Sequence, residues 1–333
     1  MTDSVPRTLH KLVFRLAHIG LGLATHLPFI GDKFTRGTGG TDSARYCYSV
    51  WLRHVVKARE AGVWNAPRRI AELGPGDSLG IGLTALLTGA EQYFAFDVVE
   101  HASNQQNLAI FDELVELVRS RADIPGEDEF PLVKPYLDDY GFPADVLSAE
   151  HIAACLSPKR VARIRTALET LGQADDDGST IRYVVPWMDT PDAHHELLRE
   201  QSVDMICSQA VLEHVDDLAE AYLAMRAWLH KDGFISHQID FKCHGTALDW
   251  DGHWAVPAFI WKIMRGARPY LINRQPCSEH VRLLGNNRFG IKIRNPIQTD
   301  STLSRARLAT EFRAMSDSDL NTSGLYVLAV PLQ

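Results

Sequence analysis

The sequence predicts an α/β fold in which helices cover both faces of a mostly parallel sheet. Seven short stretches rich in apolar and β-branched residues have the length of strands, and amphipathic stretches of helical length separate most of them. This alternation is typical of parallel strands joined by helical crossovers. Such sheets bind ligands at the carboxyl ends of their strands, where the strand order reverses. The residues that follow the strands are therefore the candidates for a site.

The predicted strands set the domain organisation. They cover residues 69–73, 93–99, 181–187, 203–208, 234–241, 291–297 and 325–331. Between the second and third strands, a Pro- and acid-rich stretch lies between helical patterns, so we predict a helical insertion at 101–180. We also expect an N-terminal helical segment at 1–60, one domain at 61–333, and a second insertion at 241–285 after the fifth strand.

Composition excludes several classes of function. The net charge of −8 argues against nucleic acid as the main partner, because phosphate binding depends on clustered Lys and Arg. The five cysteines are far apart and form no CxxC pair, so neither a zinc knuckle nor a disulfide framework is indicated. Buried thiols in a reducing cytoplasm are expected instead. The sequence indicates no oligomeric state.

The apolar N-terminal stretch at 9–30 has two faces at helical spacing. Basic residues share one face: Arg7, Lys11, Arg15 and His18. Apolar residues share the other: Leu12, Val13, Leu16, Ile19 and Leu23. Arg15 interrupts the apolar core that a secretory signal requires, and no apolar run reaches the ~20 residues of a spanning helix. Two interpretations stay open: the helix packs onto the domain, or it lies on a membrane surface.

A glycine-rich turn with an acidic partner indicates a nucleotide-like ligand. The sequence 72–80, ELGPGDSLG, follows the first predicted strand, and Asp97 ends the second, where a carboxylate can accept hydrogen bonds from ribose hydroxyls. Leu79 stands where a dinucleotide fingerprint needs its third glycine. Asp77 would repel a pyrophosphate at the helix start. The acidic turn favours a cationic sulfonium compound over NAD, although Asp97 alone suits both.

Four motifs resemble those of class I S-adenosylmethionine-dependent methyltransferases. They are the glycine turn at 72–80, Asp97, the run VDMICSQAVLEHV at 203–215 and the turn LHKDGF at 229–234. The resemblance is strongest to the branch that carries a VLEHV segment. It implies a Rossmann-like seven-stranded sheet, S-adenosylmethionine as the cofactor and a soluble enzyme that transfers a methyl group.

The same resemblance implies roles for single residues. The methionine moiety would lie against Glu72, Gly74 and Gly76, and the ribose against Asp97. The adenine would be flanked by Trp187, Met188 and Asp189. The floor near the methyl group would be formed by Ser208 and Gln209. Core packing is the alternative for Trp187 and Met188.

The proton acceptor is sought beyond the fourth and fifth strands, because a hydroxyl acceptor benefits from a nearby base. The candidates are His214, His253 and Asp240, each of which could instead be a hydrogen-bonded structural residue. His237, Asp240 and His244 also offer metal-ligand atoms. Strand alternation points His237 and Asp240 to opposite faces, so no metal is expected.

The acceptor class is indicated by the second insertion. Residues 250–270 carry three of the seven tryptophans, and aromatic faces stack on sugars or planar substrates. A basic stripe, Lys262, Arg265, Arg268 and Arg274, could meet a phosphate, a carboxylate or an anionic lipid surface. The alternative is an amphipathic helix with a core-facing aromatic edge.

The acceptor is also indicated by a finer likeness to methyltransferases of bacterial surface polysaccharides and glycosylation. The segments YCYSVWLRHVV at 46–56, SHQIDF at 236–241 and NRQPCSEHVRLL at 273–284 carry it. We expect methyl transfer to a hydroxyl of a sugar or glycan, which is either free or lipid-linked. We expect the protein to be cytoplasmic, and a peripheral contact with the inner membrane surface stays open. O- or N-methylation of a small secondary metabolite and a non-catalytic nucleotide-binding module are the alternatives.

Overall fold

The fold is a seven-stranded sheet, in a computed structural model that describes residues 7–27, 40–172, 180–187, 198–268 and 271–332. The strands are β1 Arg69–Leu73, β2 Gln92–Phe96, β3 Ile181–Val184, β4 Val203–Gln209, β5 Leu229–Asp240, β6 Phe289–Gln298 and β7 Thr322–Pro331. Their order is β3-β2-β1-β4-β5-β7-β6. The first five strands pair in parallel, and β7 is antiparallel to both neighbours. The predicted α/β fold is confirmed.

Helices pack on both faces of this sheet. They are α1 Arg7–Ala24, α2 Ala44–Glu60, α3 Gly80–Leu87, α4 Asn104–Ser120, α5 Ala149–Cys155, α6 Pro158–Glu169, α7 Leu218–Trp228, α8 Ala258–Arg265, α9 Cys277–Asn286 and α10 Asp317–Leu320. Serine or aspartate side chains cap α2, α4 and α7. One apolar cluster lies under α2, α3 and α4, and a second lies under α7 and α9. Chain order reverses at β1 and β4, which places the expected ligand edge between them.

Every strand except β1 differs at one or both ends from the prediction, and β2 ends at Phe96 rather than at residue 99. Two of these differences have a clear cause. β3 ends at Val184 rather than at residue 187, and Pro186, which has no N–H to donate, follows shortly after. β5 begins at Leu229 rather than at residue 234, because the segment predicted as a turn pairs with β4 through an irregular register.

The insertion between β2 and β3 is held by a buried arginine on α2. The Arg53 side chain is fully buried and donates to the carbonyl oxygens of Pro125 (3.2 Å), Val133 (3.0 Å) and Pro135 (2.8 Å). Its guanidinium also lies 5.0 Å from the centre of the Tyr140 ring. Helix α2 packs into the same core as α3 and α4. The irregular stretch after α4 is therefore anchored to the sheet layer, and the division at residue 60 stays a prediction.

Helix α1 packs against α8 through a glycine. A Cβ on Gly22 would lie 2.0 Å from the Ile263 carbonyl oxygen, so only glycine permits this approach. The basic face of α1 faces the protein: Lys11 forms an ion pair with Asp249, and Arg15 lies 3.5 Å from the Ala255 carbonyl oxygen. The basic face of α1 thus packs onto the domain, as the first of the two interpretations of this helix expected.

The apolar face of α1 points outward. Its exposed side chains are Leu9, Leu12, Val13, Leu16 and Leu23, each 48–57% accessible. Across the described residues, no helix combines the length and the apolar character needed to cross a bilayer.

Candidate functional site

The glycine turn and Asp97 lie together at the carboxyl ends of β1 and β2. Gly74 and Gly76 have φ of +63° and +74°, a backbone conformation that favours glycine. The Gly74 N–H donates to the Phe96 carbonyl (2.7 Å), and the Gly76 N–H donates to Oδ2 of Asp97 (3.3 Å). Because the parallel strands end at the same edge, two segments about twenty residues apart form one cradle.

Asp97 is placed to accept hydrogen bonds from a ligand. It is largely buried, and its Oδ1 accepts from the Val98 N–H at 2.7 Å. Burial raises its pKa above the ordinary range, opposed by the hydrogen bonds from Val98 and Gly76. The bond from Gly76 is long, and a carboxylate oxygen has room for a second donor. These atoms fit the two hydroxyls of a ribose.

Glu72 contacts protein groups rather than the open cradle. Its side chain is 2% exposed, and its carboxylate accepts from the Tyr93 hydroxyl at 2.5 Å and from the Gly82 N–H. Burial raises its pKa to about 7. A Cβ on Gly82 would lie 2.0 Å from the Tyr93 ring, so these three residues interlock β1, β2 and α3. Glu72 shapes the cradle by fixing the start of α3, and a contact with the methionine moiety stays a prediction.

The residues after β3 are described in part. The Trp187 N–H donates to the Asp97 carbonyl at 2.9 Å, so this segment follows the ribose carboxylate. Its indole is 3% exposed and packs 6.0 Å from the Phe96 ring and 6.2 Å from the Trp228 ring. The Trp187 side chain is therefore packed in the core, which is the alternative given for it above. Met188 and Asp189 lie outside the described residues, and the adenine contacts stay a prediction.

The two residues at the end of β4 differ in their surroundings. The Ser208 hydroxyl lies 2.7 Å from Nδ1 of His237, and both side chains are buried. The Gln209 side chain donates to the Lys134 carbonyl at 3.1 Å, whereas its buried Oε1 has no hydrogen-bond partner among the described residues. Gln209 therefore joins the insertion to the end of β4 and keeps one acceptor for a ligand.

The turn after β4 lies directly against the cradle. A Cβ on Gly74 would lie 2.6 Å from the Val211 side chain, so this valine closes one side of the glycine turn. A 3-10 turn, Leu212–His214, follows. The Asn273 side chain donates to the carbonyls of Leu212 and Val215, both at 2.8 Å. Sequence reasoning did not single out Asn273, because no local pattern marks a residue that braces a turn 58 positions away.

Four polar side chains gather after β4 and β5, and we call them the Glu213 cluster: Glu213, His214, Asp240 and His244. Nε2 of His244 lies 3.7 Å from Oε1 of Glu213 and 3.9 Å from Oδ2 of Asp240. The rings of His214 and His244 meet edge to face, with centroids 4.9 Å apart. Two of the predicted catalytic residues, His214 and Asp240, thus lie in one cluster, although their catalytic role stays a prediction.

Glu213 is the most unusual member of this cluster. Its side chain is 3% exposed, and neither carboxylate oxygen has a hydrogen-bond partner among residues that the structure describes. Burial raises its pKa well above the ordinary range. Sequence reasoning missed Glu213 as a site residue, although it stands inside the VLEHV motif that carried the resemblance.

His253 is enclosed by the protein, and its role as a base stays a prediction. It is 1% exposed and packs with its ring centroid 4.5 Å from that of Trp254. Burial lowers its pKa to about 3, so the ring is neutral. A side chain this enclosed cannot contact an acceptor hydroxyl in this conformation.

The aromatic segment after β5 packs mainly into the protein. Trp254 is fully buried and donates to the Arg274 carbonyl at 3.0 Å, and the Arg274 guanidinium lies 4.7 Å from the Trp261 ring. Arg274 also donates to the Val256 carbonyl at 2.6 Å. Arg265 pairs with Asp216 at 2.5 Å. Arg268 donates to the carbonyls of Arg265 and Met264. The core-facing alternative thus describes these tryptophans, and three of the four basic residues are engaged by protein groups.

A comparison with known families supports the assignment of the fold and the cofactor. The family described as "Methyltransferase domain" matches residues 140–236, which span β3, β4, the turn after β4, α7 and the first part of β5. The glycine turn and Asp97 precede the matched range. No curated protein sequence matches the chain.

Solved structures of methyltransferases resemble the chain at low sequence identity. One S-adenosylmethionine-dependent methyltransferase from Mesorhizobium loti is 15% identical, with 79% of this chain and 90% of that one covered and a TM-score of 0.37. Another from Methanosarcina mazei is 11% identical, with 82% and 97% covered and a TM-score of 0.42. A geranyl diphosphate methyltransferase in complex with S-adenosylmethionine is 11% identical, with 85% of each chain covered and a TM-score of 0.40.

The family match gives the reaction, and the sheet order gives the architecture on which it is carried out. The strand order 3-2-1-4-5-7-6 is typical of class I methyltransferases. Gly74, Gly76 and Asp97 lie together at the carboxyl edge of the sheet, and their contact with the cofactor stays a prediction. Residues 140–236 thus match a methyltransferase domain, and they lie in a sheet whose strand order is typical of class I S-adenosylmethionine-dependent methyltransferases.

Proposed function

We propose that this methyltransferase transfers the methyl group of S-adenosylmethionine to a hydroxyl of a sugar or glycan-like acceptor. The observation that carries the proposal is the Glu213 cluster, which lies two to three residues beyond the valine that contacts the glycine turn. A hydroxyl is both a donor and an acceptor, and the two carboxylate oxygens of Glu213, which have no hydrogen-bond partner among the described residues, offer complementary groups. An apolar acceptor would leave these buried groups unsatisfied.

The chemistry follows from in-line displacement at the methyl carbon. The acceptor oxygen forms a bond to carbon as the carbon–sulfur bond breaks, and the sulfur leaves as S-adenosylhomocysteine. Catalysis therefore consists of positioning and of removing the hydroxyl proton. Asp240 and His214 are the two candidates to receive that proton, since they remain accessible while His253 does not.

Binding of the cofactor tests the first step. We expect Asp97→Ala to weaken the binding of S-adenosylhomocysteine about 100-fold, because it removes a carboxylate that accepts hydrogen bonds from the ligand. Isothermal titration measures the Kd. Asp232→Asn is the control, since Asp232 lies exposed in β5, and its Kd should equal that of the wild type. Equal affinities for Asp97→Ala and the wild type would exclude the proposed cradle.

Release of S-adenosylhomocysteine identifies the acceptor. Purified protein is incubated with S-adenosylmethionine and with free sugars, lipid-linked glycans or small phenols and amines. Turnover on a sugar hydroxyl supports the proposal, and turnover only on a small metabolite replaces the acceptor class. Cofactor binding with no turnover on any acceptor favours a non-catalytic module.

We further propose that the acceptor is lipid-linked and that α1 lies on the cytoplasmic membrane surface. Exposed leucines of α1 and Phe259 on the adjacent α8, which is 67% exposed, supply apolar side chains for insertion. Lys11, Arg15 and Arg307 line a shallow cavity between α1 and the segment after β5. Lys11 is paired with Asp249 on the protein-facing side of α1, so the exposed leucines and Phe259 carry this proposal.

Sedimentation with vesicles tests the membrane contact. We expect the wild type to sediment with vesicles that contain anionic phospholipid, and the double variant Leu12→Gln, Leu16→Gln to lose most of that binding. Leu223→Gln is the matched control, because this leucine on α7 is 47% exposed and lies outside α1. Equal sedimentation of the double variant would overturn the contact, and concentration-dependent dimerisation of the wild type alone would assign the leucines to a protein interface.

A further inference from the structure

We propose that Glu213, His214 and His244 form a binding site for a divalent transition-metal ion. Their ligand atoms, one from each side chain, all lie within 4.8 Å of one another. The metal ligands considered from the sequence were a different set, His237, Asp240 and His244, and no metal was expected there. In the structure His237 is buried against Ser208, while the turn after β4 brings Glu213 and His214 to His244.

The buried carboxylate is the observation that points to a ligand. Glu213 is 3% exposed, and both of its oxygens have no hydrogen-bond partner within the described ranges. Buried polar groups are nearly always paired, and an unpaired carboxylate away from water costs several kcal/mol unless it is neutralised. A bound cation satisfies both oxygens. The residues nearest to them are two histidines that also offer ligand atoms.

The distances require only a small adjustment around an ion. Ligands held about 2.1 Å from a tetrahedral centre lie about 3.4 Å from one another. The observed separation between Nε2 of His244 and Oε1 of Glu213 is 3.7 Å. His244 is held at a φ of +44°, in the left-handed region that only a few per cent of non-glycine residues adopt, histidine among the more frequent. Binding of the ion would offset the conformational free energy that this backbone conformation costs.

The surroundings of the cluster hold the ligands in place. The Asn273 side chain donates to both ends of the Leu212–His214 turn, and its main-chain N–H donates to the Glu213 carbonyl at 2.6 Å. Support of this kind from outside the ligand shell is common in metal sites. Asp240 lies 3.9 Å from His244 and adds a second carboxylate. The exposed Lys242 pairs with Asp240 at 3.3 Å and is the one cation that faces this cluster in the described part of the chain.

The donor set determines the class of metal. Two imidazoles and one carboxylate suit Zn²⁺, Co²⁺, Mn²⁺, Ni²⁺ or Fe²⁺ better than Ca²⁺ or Mg²⁺, which prefer oxygen ligands. Three protein ligands leave at least one coordination position open. A further consequence rests on the proposed function. The open coordination position would bind the acceptor oxygen, and Asp240 would receive the proton of that oxygen.

Metal binding is tested on the tag-free full chain with the metal alone. After treatment with a chelator, the protein is titrated with ZnCl₂ by calorimetry and with CoCl₂ by visible absorption. We expect about one equivalent to bind and a Co²⁺ absorption of the intensity that four- or five-coordinate nitrogen and oxygen ligands produce. No binding of either metal at millimolar concentration would overturn the proposal without the need for a variant.

Variants locate the site. We expect His244→Ala to weaken Zn²⁺ binding at least about 100-fold, because it removes one of three ligands. His230→Ala is the matched control, since this exposed histidine lies 3.8 Å from the carboxylate of Asp232, at the opposite end of β5 from Asp240. Unchanged affinity in His244→Ala would place the metal elsewhere and overturn the proposal.

The failure of this proposal and that of the proposed function are distinguishable. S-adenosylhomocysteine binding, which depends on Asp97, shows that each variant is folded and is independent of the metal. Turnover that continues in excess chelator would remove the metal from the reaction, while the calorimetric result would still decide whether the site exists.

Discussion

Two buried glutamates near the ends of neighbouring strands have opposite surroundings. Glu72 on β1 and Glu213 just after β4 are 2% and 3% exposed. The Glu72 carboxylate accepts a hydrogen bond from the Tyr93 hydroxyl, whereas neither Glu213 oxygen has a hydrogen-bond partner within the described chain. Main-chain N–H groups oppose the rise of both pKa values, that of Gly82 for Glu72 and those of Glu213 and Asp240 for Glu213. Burial alone therefore does not distinguish structural from functional residues. The presence or absence of protein partners does, because evolution leaves few buried polar groups unpaired without a ligand.

Arg53 extends the comparison to a cation whose partners are all within the protein, and its substitution should have the largest effect. We expect Arg53→Met to lower the free energy of unfolding by about 3–5 kcal/mol, because several buried carbonyls lose their donor. Urea denaturation measures the change. Arg59→Ala is the control: this residue joins the same helix to the insertion through an ion pair with Asp145 at the surface, and its loss should cost less than about 1 kcal/mol. Equal losses would contradict the anchoring role of Arg53.

The pH dependence of stability separates Glu72 from an ordinary carboxylate. Its pKa is about 7 in the folded protein against 4.5 ordinarily. The folded state therefore retains a proton that the unfolded chain releases, and the free energy of unfolding falls as the pH rises from about 4.5 to 7. The loss amounts to about 3 kcal/mol. Urea denaturation at pH 5 and pH 8 should show this loss in the wild type and not in Glu72→Gln. Parallel pH profiles for the two proteins would contradict it.

Removal of the partner of Glu72 has a smaller expected effect. Tyr93→Phe leaves the carboxylate without its hydroxyl donor, and we expect the free energy of unfolding to fall by about 1–2 kcal/mol. Thermal denaturation provides the measurement. Tyr136→Phe is the control, because the exposed Tyr136 hydroxyl donates only to the Pro131 carbonyl at 2.8 Å. If both variants behave alike, the interlock of β1, β2 and α3 does not stabilise the fold.

Glu213 should respond in the opposite direction. In chelator-treated protein, Glu213→Gln replaces an unpartnered buried carboxyl with a neutral amide of the same shape. We expect the free energy of unfolding to stay the same or to rise by less than about 1 kcal/mol. A loss of 2 kcal/mol or more by urea denaturation would show that Glu213 has a structural role like that of Glu72.

The sequence predicted the sheet because strand and helix signals are local. All seven strands lie where alternating and apolar stretches occur, and Asp97 falls at the end of β2 because the spacing of the motif is fixed by one crossover. The boundaries moved where tertiary pairing decided them, as at Leu229, which pairs with Val203. For Trp187 the sequence left adenine contact and core packing open, and the structure shows a packed indole beyond the end of the strand.

The Glu213 cluster lay beyond prediction because it depends on a turn between distant residues. His244 meets Glu213 only through a left-handed residue conformation and a loop in which the Cys243 N–H donates to the Trp250 carbonyl at 2.7 Å. No periodic pattern encodes such a turn. Helix α1 shows a related limit, since its periodicity defined two faces but not that the basic one would contact the protein.

The hydrogen bonds from Arg53 to the insertion also have a consequence for substrate entry. Carbonyls of Val133 and Pro135 flank Lys134, whose own carbonyl accepts from Gln209 at the tip of β4. We therefore expect the segment around Lys134 to stay in place beside β4 during turnover. We expect substrates to arrive and products to depart across the opposite rim, between α1 and the residues after β5. Substrates and products would then pass on the side of the protein that carries the exposed leucines of α1.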